Sequence, residues 1–288
     1  TSNMTDGGLK YLSDLPKVEQ LHLLYNNIGD EGLAHLKGMS QLTLLDLRGC
    51  MKVGDAGLEH LKGLKNLKSL KLRSYEVSDE GLKSIQGLTG LRVLILEDTD
   101  ISDAGMEFLK GMTDLSELNL FRTRISDAGL AALKNFKKLK HLKLRDTSLD
   151  GSGLVNIKDA KDLRVLDLSE TQVVDAGLDH LVGLSKLEFL DLWATLITDD
   201  GLKRLSGLKN LKTLMLTETS VTDAGVAHLS SLTNLEKLSL NATSVGDAGL
   251  KHLYGLTKLK ELDLGFTSGS NEAIELLQEK LPDCLIKQ

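Results

Sequence analysis

Leucine recurs along this chain at short fixed intervals, and the intervals are of two kinds. Over residues 115–136, Leu118 and Leu120 face one way while Glu117, Asn119 and Phe121 face the other. That two-residue period predicts a strand with one buried side. Thr123 and Ile125 close it. Ser126-Asp127-Ala128-Gly129 then reads as a helix start, and Leu130, Leu133 and Phe136 follow at three-residue spacing, as on one side of a short helix.

The same unit recurs from Val18, Leu42, Leu67, Leu91, Leu115, Leu139, Leu163, Leu187, Leu211, Leu235 and Leu259, in steps of 24 residues with one step of 25 after Leu42. Ten complete repeats fill 18–258. A half-repeat over 1–17 precedes them, and a repeat with a different ending occupies 259–288. There, Ile274, Leu277 and Leu281 mark a longer amphipathic helix, stopped by Pro282-Asp283 and followed by a short closing strand at Cys284-Leu285-Ile286. The first helix lacks a strand before it, which reads as a fragment cut from a longer protein or, alternatively, as a half-repeat that itself serves as a crude cap.

With Leu at the first, fourth and sixth positions and mostly Thr at the ninth, the pattern resembles the leucine-rich repeat family, whose units run to about 20–29 residues. Thr198-Asp199-Asp200-Gly201-Leu202 and Thr222-Asp223-Ala224-Gly225-Val226 are similar to 24-residue bacterial repeats of the planctomycete and GALA types. They are also similar to the cysteine-containing repeats of F-box proteins, from which Thr at the ninth position departs. The resemblance implies an α/β leucine-rich repeat solenoid, a right-handed horseshoe with a parallel β-sheet on its concave face and short helices on its convex face. Because each repeat of a solenoid touches only its neighbours, 288 residues are expected to form one domain.

Several columns carry their own expectations. The ninth position holds Asn26, Cys50 and Tyr75, then Thr from Thr99 to Thr267, read as buried hydroxyls serving backbone groups where the strand bends. Tyr75 is too large for that slot, so the sheet is expected to be irregular there. The Asp column (Asp30, Asp55, Asp79, Asp103, Asp127, Asp175, Asp199, Asp223, Asp247) reads as helix N-caps. A calcium loop would need several oxygen ligands in one turn, and Ala-Gly-Leu supplies none. Glycines such as Gly38, Gly63, Gly183 and Gly207 are expected to end the helices in the left-handed conformation. His35, His60, His180, His228 and His252 share one helix position and are read as solvated, with no metal.

Net charge is -6, which argues against a nucleic-acid binder. No apolar run reaches the ~18 residues of a membrane span. Cys50 and Cys284 read as free thiols, fitting a reducing, cytoplasmic setting, with a secreted effector as the alternative. No phosphate loop, nucleophile elbow or zinc motif occurs. The chain is therefore read as no enzyme, with no cofactor.

Function is left to the strand face, at the third, fifth, seventh and eighth positions. Of the ten aromatic residues, five lie there: Tyr25, Phe121, Phe189, Trp193 and Phe266. Recognition surfaces favour such residues and arginine. Charge on this face is mixed up to Asp162, with Arg122 and Arg145 protruding, and acidic beyond, with Asp167 and Asp191 beside Phe189, Trp193 and Met215. The expected partner is a protein or peptide, bound by a monomeric, non-catalytic scaffold through Trp193, Phe189, Asp191, Asp167, Met215, Phe121, Arg122, Arg145 and Tyr25. The alternative is the recognition domain of a larger enzyme or effector. Leu142 falls in the inner leucine layer, so Leu142→Ala is expected to cost roughly 2–5 kcal/mol. A urea midpoint equal to wild type would show that the repeat register is misassigned.

Overall fold

The short leucine-alternating stretches form parallel strands because each has one apolar side to bury and its neighbour repeats the same side. The computed structural model describes residues 4–13, 15 and 17–288; of the half-repeat expected over 1–17, residues 1–3, 14 and 16 lie outside that description. The chain divides into two units, 1–142 and 143–288. Unit 1 carries β1 (Gln20–His22), β2 (Leu44–Arg48), β3 (Ser69–Arg73), β4 (Val93–Glu97) and β5 (Glu117–Asn119), and β6 (His141–Lys143) includes residue 142, where the units divide. Unit 2 carries β7 (Val165–Asp167), β8 (Phe189–Asp191), β9 (Thr213–Met215), β10 (Lys237–Ser239), β11 (Glu261–Asp263) and β12 (Leu285–Lys287).

From β1 to β5, and again from β7 to β12, each strand pairs in parallel with the next in the chain. Leu166 faces Leu190 and Leu190 faces Leu214, so leucine stacks on leucine from β7 to β9. Strand, turn and short helix repeat in each unit, the architecture of an α/β leucine-rich repeat solenoid. Several of the helical segments are 3₁₀ rather than α, as at Gly129–Asn135, Ser152–Ile157 and Asp175–Leu181. A segment of one or two turns loses little by taking the tighter winding.

Leu118, Leu120, Leu190 and Leu192, at the fourth and sixth positions, have no solvent exposure. Burial of each is worth on the order of 2 kcal/mol. Below them the ninth-position threonines donate their hydroxyls to the carbonyl three residues back, Thr99 to Leu96 at 2.9 Å and Thr195 to Leu192 at 2.6 Å. The expectation for that column holds. It fails at Tyr75, which turns outward, 57% exposed, while Ser74 is buried in its place and donates to the Met51 carbonyl. The sheet is regular there all the same: β2, β3 and β4 pair without interruption over five residues. The extra residue after Leu47 is absorbed in the turn.

The Asp column does something other than cap its own helix. Asp79, Asp199 and Asp223 are each the first helical residue, and the cap is the residue before it. The carboxylate reaches instead to the next repeat. Asp175 accepts the backbone N–H of Thr198 at 2.9 Å and its hydroxyl at 2.6 Å, and Asp199 does the same for Thr222 at 2.7 and 2.6 Å. Asp55 and Asp79 serve Ser78 and Ser102 in unit 1. Each hydroxyl in turn accepts from its own helix, as Thr222 does from the Ala224 N–H at 3.3 Å. The glycine of Asp-x-Gly completes the fit. A Cβ on Gly201 or Gly225 would overlap the carboxylate of Asp175 or Asp199. The helix-ending glycines, in contrast, are not left-handed: Gly49 and Gly151 are the glycines with positive φ among the described residues.

Gly151, at φ +99°, stands where the Asp column would continue, and the relay stops. The next cap position is Val174, which has no hydroxyl to place, and its N–H bonds to the Asp150 carbonyl at 3.2 Å. The two backbones close up there, since a Cβ on Gly177 would lie 3.0 Å from the Gly151 Cα. Where the relay is intact, Asp199→Ala strands both donors of Thr222, and a loss of about 1–3 kcal/mol is expected. Thr222→Val keeps the N–H bond and should cost less; equal costs in urea unfolding would refute the double acceptance.

Candidate functional site

Two features recur along the strand face, the first of them where the fifth position is Asp or Asn. The fifth-position side chain bends forward to accept the N–H of the seventh residue: Asp46 from Arg48 at 3.2 Å, Asn119 from Phe121 at 2.9 Å, Asp167 from Ser169 at 3.1 Å and Asp191 from Trp193 at 3.0 Å. This is the Asx turn, in which a short carboxylate or amide mimics a backbone carbonyl. The eighth residue then takes the left-handed conformation, at Tyr25, Asp98, Arg122, Asp146, Glu170, Ala194, Glu218, Ala242 and Phe266 as well as Gly49. Most of these are residue types that pay for that conformation elsewhere. Here the turn out of the strand requires it.

In unit 2 the pairing register sets Asp167, Asp191 and Met215 side by side on β7, β8 and β9, and Phe189 between Val165 and Thr213. Trp193 lies two residues beyond the end of β8. It does not stand clear of the surface as its small neighbours Ser169 and Thr217 suggest. The Arg145 guanidinium lies 4.8 Å from its ring centroid, a cation–π contact, and Arg145 Nε also bonds Glu170 at 2.5 Å. The ring is half-buried, and its Nε1 is fully buried with no hydrogen-bond partner. Ser169, a buried neighbour, gives its hydroxyl to Asp167 at 2.6 Å.

Two carboxylates in register repel each other. Burial pushes the Asp191 carboxyl up to about 6; the Trp193 N–H and Arg145 oppose that rise, while Asp167 and Glu170 add to it. In unit 1, Tyr25 is 69% exposed, and Arg122 lies 4.6 Å over the Phe121 ring while bonding the buried Asp98 at 3.1 Å. Tyr25 follows β1 and Phe121 follows β5, so the register separates these two by four strand steps. Of the nine residues expected at the site, the structure groups Arg145, Asp167, Phe189, Asp191, Trp193 and Met215 in unit 2. It places Tyr25 and the Phe121–Arg122 pair apart within unit 1. Glu170, which holds Arg145, was not among those expected. Its turn position gives it away only once the left-handed eighth residue is known.

Among the described residues no three His, Cys, Asp or Glu side chains gather as a metal site, and no helix is long and apolar enough to cross a membrane. Cys50 and Cys284 are both buried thiols, and Cys50 donates to the Leu23 carbonyl.

A stacked strand–turn–helix unit with an aromatic and charged strand face defines a leucine-rich repeat protein. The profile of the leucine-rich repeat region family matches residues 25–274, and the chain belongs to that family. An internalin, inlF, of Listeria monocytogenes has the same fold, with 22% identity and a TM-score of 0.77 over 98% of this chain and 82% of its own. A leucine-rich repeat protein of Leptospira interrogans matches at 18% identity and a TM-score of 0.60, over 97% of this chain and 80% of its own. The ectodomain of the Arabidopsis thaliana receptor kinase GASSHO1/SCHENGEN3 matches at 18% identity and a TM-score of 0.58, over 96% of this chain and 39% of its own. No curated protein matches as a relative. Folds of this family commonly serve as protein-binding scaffolds, and their repeat domains are typically non-catalytic.

Trp193, the single tryptophan, reports on Asp191 directly. In the folded chain Asp191 takes up its proton near pH 6, and in the unfolded chain near about 3.9. Between these values the folded state binds the extra proton, so this group's contribution to stability rises as pH falls through 6. Asp191→Asn keeps an acceptor for the Trp193 N–H and removes the buried charge. It is expected to raise the melting temperature relative to wild type at pH 7.5 and to lose that advantage at pH 4. It should also abolish a tryptophan-emission transition centred near pH 6. An equal difference in melting temperature at both pH values would contradict the assignment.

Proposed function

We propose that this chain is a non-catalytic recognition scaffold, one leucine-rich repeat domain over 1–288 of the 24-residue bacterial type. It binds a protein or peptide on its strand face and holds a cationic side chain of that partner in unit 2. One observation carries the reading: Asp167 and Asp191 face each other in register beside the single tryptophan, with Arg145 as the positive group already stacked on it. The sheet holds two like charges together at a cost, and an incoming lysine or arginine offsets that cost. Phe189 and Met215 on the flanking register positions give the stem of such a side chain apolar and thioether contacts. Arg145 itself is an intramolecular example of what the ring and Glu170 accept.

Two plant receptors of similar fold support a recognition role by analogy. They are described in complex with Casparian strip integrity factor 2 and with RGF2, respectively. The first is a receptor kinase ectodomain, which favours the second reading: this chain as the recognition part of a larger enzyme or effector.

The test uses the natural partner, isolated on the immobilised chain, and a hexa-arginine peptide as a defined probe. Trp193→Ala is expected to weaken the partner by at least about 2 kcal/mol, as central anchors do. The half-buried ring also packs, so the alanine variant loses some stability and Trp193→Phe serves as the folded control with intermediate affinity. Hexa-arginine should shift the Trp193 emission of the wild type. Unchanged partner affinity in both variants would place binding elsewhere.

A further inference from the structure

Unit 1 holds the opposite arrangement. Arg48 and Arg73 are register partners on β2 and β3, so two arginine side chains leave adjacent strands from backbone positions roughly one strand spacing of 4.8 Å apart. Each is fixed from its inner end. Arg48 donates Nε and Nη2 to Asp46 at 3.0 and 2.8 Å, and Arg73 donates Nε to Asp98 at 2.6 Å. Both carboxylates are 1% exposed. The bond to Asp46 raises the pKa of Arg48 and the bond to Asp98 that of Arg73, with Tyr25 and Glu97 contributing to both. Burial pushes the Asp46 carboxyl up, but its bonds to Arg48 outweigh that and keep it below its ordinary value.

These bonds do not exhaust the arginines. A guanidinium carries five N–H donors. The Nη1 of Arg48 and both Nη atoms of Arg73 have no hydrogen-bond partner among the described residues. Nor does neutralising Asp98 require Arg73, because Arg122 bonds the other oxygen of the same carboxylate. Lys71, in register with Asp46, adds another positive charge. Tyr25 borders the pair: its ring rests on Gly49, where any Cβ would overlap it. The forks are thus pre-oriented, with donors unspent and an exposed phenol at their side.

We propose that Tyr25, Arg48 and Arg73 form an oxyanion-recognition site that takes a carboxylate or phosphate carried by an acidic segment of a protein partner. One anion bridging both forks replaces the repulsion between them with charge-assisted hydrogen bonds. The proposal goes beyond the cationic site of unit 2 and stands independently of it.

The experiment measures fluorescence anisotropy of labelled hexaglutamate and hexaphosphoserine peptides on the full chain, with hexalysine as control. At least one acidic peptide should bind, and the tighter one names the source of the oxyanion. The Arg48→Gln/Arg73→Gln double variant should lose at least tenfold in affinity, and Lys280→Gln, on the C-terminal helix, less than twofold. Because the double variant leaves Asp46 without its partner, its melting curve is recorded. A second measurement needs no variant: the Arg48 and Arg73 Nε–Hε resonances of the wild type should shift on titration. Failure of both acidic peptides to bind, affinity unchanged in a folded double variant, or resonances that stay still under bound peptide each overturn the proposal.

Discussion

The carboxylate that passes from one repeat to the next is the constraint on which the rest of this structure depends. A short helix of one or two turns has little stability of its own, and its first N–H groups have no partner within it. Here a cap hydroxyl accepts one of them, and the preceding repeat holds that hydroxyl in place. Asp175 holds the Thr198 N–H and hydroxyl, Thr198 caps its own helix, and Asp199 repeats the act on Thr222. The glycine two residues after the aspartate, as at Gly201 and Gly225, leaves room for the previous carboxylate. Aspartate, hydroxyl and glycine therefore form one device spread over two repeats. Remove the first and the others lose their purpose, as Gly151 and Val174 illustrate together.

With the repeats fixed in step, the strand face is free to carry groups that would be costly elsewhere. Like charges in register, Arg48 beside Arg73 and Asp167 beside Asp191, persist because leucine stacking and the backbone ladder hold the strands regardless. The fifth-position carboxylates have a structural duty as well, since they accept the N–H that leaves the ladder at the turn. Asp191 is thus at once a turn former and half of a charged pair, which is why its titration is displaced by burial and by Asp167 together.

The repeat, its register and the leucine layers are legible in the sequence because burial on one side leaves a period, and a period survives any local detail. The ninth-position threonines are legible for a similar reason, as small hydroxyls in a buried column. What the sequence does not disclose is direction. Nothing in Asp-Ala-Gly-Leu says that the carboxylate points to the following repeat rather than to its own helix, since both neighbours carry the same motif. The left-handed eighth position is hidden because Tyr25, Arg122, Ala194 and Phe266 have no preference for it; the turn imposes it. Nor does the sequence show that Arg145 folds over Trp193. The Asx turns were open to discovery, as Asp or Asn recurs at the fifth position of five repeats, two residues before the turn.

Hydrogen exchange at the amides of Ser102, Thr198 and Thr222 tests the carboxylate relay most directly. Held by Asp79, Asp175 and Asp199 at 2.7–2.9 Å, they are expected to be protected to the same degree as the strand amides of Leu192 and Leu216. Exchange at the rate of open loop amides, with the strand amides still protected, would contradict it.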